Sequence, residues 1–249
     1  MKKRRIFHRG EFYLIRAVGV GREKIFRSNE DRSRFIVALE FYNSQEPVNL
    51  WSMFFNDLQE DREQQEICLS EGGKCKTSSV KKLKSKIRER RIEDSRIGGP
   101  KIAGVLGFVL LPRSYYLLLR EVEEGGISSF MQKMGGYATY FNRRHCRRGV
   151  LFRSKYECVP VKGKREVVDA LNYVHTRPVQ AWLKKNRGAS TQQALKKLYS
   201  YRYSSFLDYA GKRNFPSVTN RGFLLDYLRG RESYMAEVRG CVEKMTKKY

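Results

Sequence analysis

Apolar positions are densest in residues 107–121, which read GFVLLPRSYYLLLRE. Such a run predicts a buried central strand, interrupted at Pro112, which has no backbone N–H to donate. Because residues two apart on a strand face the same side, Ser114 and Tyr116 are expected to point together, and Tyr115 away from them. This polar pair inside an apolar strand marks the stretch as the expected position of a functional site.

The rest of the chain alternates short strands with amphipathic helices. The predicted strands cover 12–18 and 156–161, and the predicted helices cover 29–42, about 128–145 and 164–176. Ser28 or Asn29 is expected to cap the first helix. Pro160 is typical of a strand at a sheet edge, and Pro178 is expected to end the helix before it. This alternation predicts an α+β protein.

The composition changes twice along the chain. Residues 59–100 are polar, and within them residues 81–91 carry seven basic residues and one acid. This insertion is either a solvated loop or a short basic helix that contacts nucleic acid. After residue 189 the pattern is mostly helical, with helices predicted at 191–199, 220–228 and 232–244. We therefore predict a core at 1–183, with an insertion at about 59–100, and a helical C-terminal extension at 184–249.

Charge adds the first functional indication. The chain of 249 residues has 51 Lys and Arg against 26 Asp and Glu, a formal net charge of +25, while 41% of its residues are hydrophobic. A globular chain this basic is expected to bind a polyanion, most often a nucleic acid.

Cysteine usage and hydropathy indicate the compartment. The five cysteines are scattered without a Cys-x-x-Cys pair, so a structural zinc site is not expected. The basic N-terminus lacks the apolar core of a signal peptide. The longest apolar run, 102–111, is too short to span a membrane. We predict a cytoplasmic protein without a membrane partner.

The most basic stretch outside the insertion is 142–155, NRRHCRRGVLFRSK, which contains no acid. Arginines neutralise phosphates and aromatic rings stack on unpaired bases. The alternative is a solvated turn. The DNA-binding residues predicted in this stretch are Arg143, Arg144, Arg147, Arg148, Phe152, Arg153 and Lys155.

Two motifs resemble the HUH-type, single-tyrosine transposases of small insertion sequences. Residues 107–121 keep the family's signature strand at Leu111, Pro112, Leu117 and Leu118, and residues 172–179, NYVHTRPV, resemble its Tyr-Ile-His-x-Asn-Pro-Val segment.

Further segments match the same family around this pair. They are 8–13, 25–26, 140–156 and 203–209, and the helical tail is similar to that of the subgroup associated with repetitive extragenic palindromes.

The resemblance implies a ferredoxin-like antiparallel sheet with helices packed on one face. It also implies cleavage and transfer of single-stranded or hairpin DNA in DNA transposition, by a homodimer that uses magnesium or manganese. Tyr173 occupies the nucleophile position. A protein of this kind acts in the bacterial cytoplasm, associated with the nucleoid.

This sequence differs most from the family pattern at the positions of the metal ligands. Its two histidine positions hold Ser114 and Tyr116, and Arg177 stands at its third ligand position. Neutral hydroxyls are poor ligands for a divalent ion, and a guanidinium repels one. We therefore expect no metal cofactor and an impaired catalyst that still binds DNA.

Two alternatives to this reading of the function stay open. One is an active strand transferase that forms a phosphotyrosine through Tyr173, and the other is a protein that binds structured RNA. A sharper hypothesis places a DNA phosphate on Arg177. The three histidines, His8, His145 and His175, are interpreted as surface or packing residues.

Overall fold

The computed structural model describes residues 6–21, 23–45 and 100–249. The insertion predicted at about 59–100 lies outside these residues, apart from its last one. The strands in the described ranges are β1 (Phe12–Val18), β2 (Ala103–Leu111), β3 (Ser114–Glu121) and β4 (Glu157–Val161). The helices are α1 (Asn29–Phe41), α2 (Gly126–Met134), α3 (Gly136–Arg144), α4 (Gly163–Leu183), α5 (Thr191–Ser200), α6 (Phe206–Tyr209), α7 (Arg221–Tyr227) and α8 (Arg231–Lys248).

The four strands form one sheet in the order β2-β3-β1-β4, and each pair of neighbours is antiparallel. With helices between β1 and β2 and between β3 and β4, this is the ferredoxin-like arrangement that we predicted. β4 lies at the sheet edge, and Pro160 is tolerated there because an edge strand does not need every N–H for pairing.

Each face of the sheet carries its own hydrophobic core. On the first face, Ile15 and Leu117 pack with α1, α2 and α3. On the second face, Tyr116 and Leu118 pack with α4 and with the helices that follow it. Both faces are covered because β2 and β3 are apolar at nearly every position and bury both sides. The predicted helical layer is therefore present, and a second one lies opposite to it.

The stretch 107–121 forms a hairpin rather than one interrupted strand. Leu111 at the end of β2 pairs with Ser114 at the start of β3, so Pro112 and Arg113 form the turn between them. The side chain of Tyr116 belongs to the second core and that of Tyr115 to the first, as their spacing predicts.

Two helix boundaries differ from the sequence pattern. The predicted helix at 128–145 begins at Gly126 and divides at Gly135 into α2 and α3. The helix before Pro178 does not end there, since α4 continues to Leu183. A proline inside a helix costs about 3 kcal/mol. Val179 and Leu183 beyond it are completely buried, and burying each contributes about 1.5–3 kcal/mol, which outweighs that cost.

The C-terminal helices share the second core with the sheet. Tyr234, Val238 and Val242 of α8 are completely buried in it, together with Leu106 and Val109 of β2. The division between a core ending at residue 183 and an extension stays a prediction. Within the described ranges, no helix is both long and apolar enough to cross a membrane.

Candidate nucleic-acid interface

An arginine lies between two tyrosine rings on the second face, and we call Tyr116, Tyr173 and Arg177 the tyrosine–arginine cluster. Positions 173 and 177 lie one turn apart on α4 and so share a face of the helix. The Arg177 guanidinium carbon is 4.8 Å from the ring centroid of Tyr116 and 5.0 Å from that of Tyr173. Its Nη2 donates a hydrogen bond of 2.7 Å to the Tyr116 hydroxyl, and its Nη1 donates to the Gln180 side chain.

The two tyrosines of the cluster differ in their access to solvent. Tyr116 is 1% exposed and Tyr173 is 39% exposed, and their rings meet edge to face with centroids 5.7 Å apart. Burial raises the pKa of the Tyr173 phenol, the positive charge of Arg177 opposes that rise, and the neighbouring Tyr116 adds to it. Tyr173 is thus the accessible phenol of the pair, and it is protonated at neutral pH.

A second cation approaches the same cluster from the sheet. The Arg16 guanidinium carbon lies 5.8 Å from the Tyr116 ring centroid, and its Nη1 is 3.0 Å from Glu157 Oε2. Because Glu157 offsets the charge of Arg16, Arg177 is the cation of the cluster that lacks a carboxylate partner among the described residues.

These side chains do not fit the divalent metal that the family resemblance implies. Tyr116 already accepts a hydrogen bond from Arg177, whose fixed positive charge lies beside both tyrosine rings. Ser114 is buried and offers a neutral hydroxyl. Across the part of the chain that the structure describes, no three His, Cys, Asp or Glu side chains are grouped to hold a metal ion.

The basic stretch 142–155, which we call the basic corner, begins in the last turn of α3 and lies on the first face. Two of its side chains fix its own backbone. Asn142 Nδ2 donates to the Gly149 carbonyl at 2.8 Å, and Arg147 donates to the carbonyls of Gly149 at 3.2 Å and Val150 at 2.7 Å. Arg147, predicted to bind DNA, therefore also shapes the loop.

Asp31 anchors the basic corner to α1. It is completely buried and accepts hydrogen bonds from the backbone N–H of Arg27 at 2.8 Å and of Ser28 at 2.9 Å. The Ser28 side chain caps the helix in return, as the sequence predicts. His145 Nε2 lies 3.0 Å from Asp31 Oδ1, and Arg144 Nε lies 3.8 Å from it.

The seven residues predicted to bind DNA thus divide into two groups. Arg144, Arg147 and Phe152 contribute to the fold, since Phe152 packs half-buried with its ring 5.9 Å from that of Tyr115. The others are exposed at the surface of the corner: Arg143, Arg148, Arg153 and Lys155.

The basic corner and the tyrosine–arginine cluster lie at the same end of the sheet. Val18 at the end of β1 pairs with Ser114 at the start of β3, and Arg153 N donates to the Val18 carbonyl at 2.8 Å. Tyr116 lies two residues further along β3 and points to the second face. The two regions therefore share one end of the sheet and lie on its opposite faces.

Sequence reasoning missed three further cations at this end. Lys24, Arg27 and Arg113 line an open concavity of about 650 Å³ together with Glu23, whose Oε1 is 2.9 Å from Arg27 Nη2. Nothing in the sequence indicates this grouping, because the cations come from the loop after β1 and from the distant turn between β2 and β3.

His175 is a packing residue, and it joins four elements. It is completely buried, with Nε2 2.6 Å from Ser205 Oγ and Nδ1 hydrogen-bonded to the Tyr234 hydroxyl. Ser205 Oγ also accepts from Phe108 N at 2.9 Å. Burial lowers the pKa of His175 to about 3, so the ring is neutral and ties α4 to α6, α8 and β2.

Comparisons with known proteins add one structural likeness. No family model and no curated protein matches the chain. A solved structure of the REP-associated tyrosine transposase bound to a REP hairpin is similar over 87% of this chain and 89% of that chain, with 10% sequence identity and a TM-score of 0.46. A likeness of this size does not identify a family.

Proposed function

We propose that this protein binds single-stranded or hairpin DNA across the end of its sheet, as a catalytically impaired relative of the single-tyrosine transposases. The observation that carries the proposal is the position of Arg177, between two tyrosine rings and at the same end of the sheet as the basic corner. One backbone phosphate binds Arg177 beside Tyr173, and neighbouring phosphates bind the exposed cations of the corner.

The chemistry of Arg177 supports this assignment. A guanidinium has five N–H donors in one plane, an arrangement that suits phosphate oxygens. Two of the nitrogens are directed at Tyr116 and Gln180, which hold the group in place. The Nε–H is buried and has no partner among the described residues, so it does not meet a phosphate from solvent, whereas each terminal nitrogen keeps a second N–H beyond these two hydrogen bonds. Donors therefore remain for a phosphate, and the group is already oriented before it binds.

The same arrangement supports impaired catalysis. A phenol is a weak nucleophile unless it is deprotonated or its target is polarised. Burial raises the pKa of Tyr173, with Arg177 opposing the rise, and the positions of the family's metal ligands hold hydroxyls and a cation. Tyr173 therefore marks the nucleophile position without the activation that the family reaction needs.

An active strand transferase is the second candidate, and the exposure of Tyr173 favours it. With 39% of the residue accessible, its oxygen can reach a phosphorus atom held by Arg177. In that reaction Tyr173 forms a bond to phosphorus while the bond from phosphorus to a sugar oxygen breaks. The products are a phosphotyrosine and a strand ending in a free hydroxyl.

A gel experiment separates the two candidates. Labelled DNA hairpins with single-stranded flanks are incubated with the protein, with and without manganese, and analysed on native and denaturing gels. We expect a retarded native band and no covalent band, unchanged by metal. A covalent band that disappears in Tyr173→Phe would establish the transferase instead.

One matched competition and one measurement of size complete this test. An RNA hairpin of the same sequence is added at fixed salt, and we expect it to compete more weakly than DNA; stronger competition would favour a structured-RNA binder. From the family resemblance we also propose a homodimer, and light scattering of the free protein measures its mass. The same resemblance is our reason for proposing a cytoplasmic, nucleoid-associated location in bacteria.

A further inference from the structure

A pocket of about 440 Å³ lies on the first face, between the two helices α2 and α3 and the basic corner. Its inner wall is aromatic and apolar. Tyr115 and Leu151 are buried there, and the half-buried Phe152 meets Tyr115 edge to face at 5.9 Å. None of the interactions described for the tyrosine–arginine cluster involves this pocket.

The outer wall of the pocket is polar. Gln132 of α2 and Thr139 of α3 are exposed, and their side chains have no hydrogen-bond partner within the described part of the chain. Lys155 and Ser154 lie opposite, on the basic corner, and both are exposed. The pocket thus combines an apolar interior, unpaired polar side chains and a cation at its edge.

We propose that this pocket binds one nucleobase that has left the stack of the bound strand. The inference rests on the proposed function, because the bound DNA strand supplies the base. The aromatic wall contacts the plane of the base, Gln132 and Thr139 bind its polar edge, and Lys155 binds the phosphate attached to it.

Size and chemistry both favour a single base. Ligand pockets span roughly 300–1,000 Å³, and 440 Å³ is room for one nucleotide but not for a duplex. Bases taken out of a stack are bound by aromatic contact and by hydrogen bonds to their edges. The carboxamide of Gln132 offers a donor and an acceptor side by side, which matches the paired groups on a base edge.

The charge around the pocket favours a nucleotide over other ring compounds. Arg148 and Arg153 are exposed on the same corner as Lys155, and the whole stretch 142–155 contains no acid. A neutral or cationic ligand would gain nothing from these charges, while the phosphate of a nucleotide does.

The four deoxynucleoside monophosphates are direct probes of the pocket. Saturation-transfer NMR at fixed salt reports which ligand protons contact the protein. We expect transfer to the base protons of at least one nucleotide. We expect about a tenfold loss of affinity in Gln132→Ala, the effect of losing one bidentate contact to a base. Thr139→Phe, which fills the pocket from an exposed helical position, is expected to abolish the transfer.

The matched control is Gln192→Ala, which removes an exposed glutamine from α5 and is expected to change nothing. Absence of transfer to any base proton, or equal affinities in Gln132→Ala and the parent, would overturn the proposal. The anisotropy of a labelled DNA hairpin is measured on the same proteins. Hairpin binding without nucleotide binding refutes the pocket alone, and nucleotide binding without hairpin binding refutes the proposed function alone.

Discussion

The two faces of one sheet present cations in different ways. On the first face, the basic corner carries several exposed cations on a loop held by Asp31, Asn142 and Arg147 through polar contacts. On the second face, the Arg177 guanidinium is held by Tyr116 and faces the ring of Tyr173. The first arrangement suits contacts along a backbone, and the second fixes one phosphate in one place. We therefore expect the first face to supply most of the affinity for DNA and the second face to position one phosphate, and variants of each face test this division.

The largest effect is expected at the anchor of the first face. Asp31→Ala removes a buried carboxylate that caps α1 and binds His145 and Arg144. Asp31 accepts hydrogen bonds from two backbone N–H groups, and a hydrogen bond to a charged group contributes about 1.5–3 kcal/mol, so urea denaturation should show a loss of about 3 kcal/mol in the free energy of unfolding. The control is Glu30→Ala at the neighbouring position. Equal losses in the two variants would mean that the corner does not depend on Asp31.

The stability of the second core is expected to depend on pH through His175. Its pKa is about 3 in the folded chain and about 6.5 when unfolded. Between these values the unfolded chain binds the extra proton, so the free energy of unfolding falls as pH decreases from about 6.5 toward 3. The loss between pH 7 and pH 4.5 is roughly 2.5 kcal/mol.

Denaturation of the parent and of His175→Gln at several pH values measures this contribution. The exposed His8 supplies the control variant, His8→Gln, which should keep the parent's profile. A His175→Gln profile as steep as the parent's would show that other groups cause the acid sensitivity.

The effect of removing the Arg177 guanidinium on DNA binding comes next in size. Arg177→Ala deletes a charged hydrogen-bond donor, a contact of about 1.5–3 kcal/mol. We expect hairpin DNA to bind about 30-fold more weakly at constant salt, as measured by fluorescence anisotropy. The control Arg239→Ala removes an exposed arginine from α8. If Arg177→Ala binds as tightly as this control, Arg177 is a structural partner of Tyr116 only.

The smallest effect is expected from one cation of the first face. Arg153→Gln removes one phosphate contact among several, so affinity should fall by about 1 kcal/mol or less. The slope of log affinity against log salt should decrease by about 1. Titrations at four salt concentrations, with Arg239→Gln alongside, check both values. An unchanged salt slope would place Arg153 outside the DNA contact.

Local patterns predicted much of this structure. The run of mostly apolar residues at 12–18 predicted β1, and Ser28, one of the two residues expected to cap the first helix, caps α1. The sequence did not predict that α4 continues through Pro178, because the burial of Val179 and Leu183 outweighs the cost of a proline inside a helix.

Contacts between distant segments gave no signal in the sequence. His145 and Asp31 are separated by 114 positions, and no periodicity relates them. The grouping of Lys24 and Arg27 with Arg113 likewise depends on how the loop after β1 meets the hairpin turn. The motifs placed Tyr173 and Arg177 on one helix, but only the fold brings the guanidinium to Tyr116.

The second core has a consequence for the growing chain on the ribosome. Leu106 and Val109 of β2 are buried together with Tyr234, Val238 and Val242 of α8, so more than a hundred positions are translated between the two halves of that core. The first face is covered by α1 to α3, while the second is covered first by α4, and its core is complete only when α8 has been made. Exposed apolar surface of this kind favours aggregation, so we expect nascent chains stopped before α8 to need a chaperone.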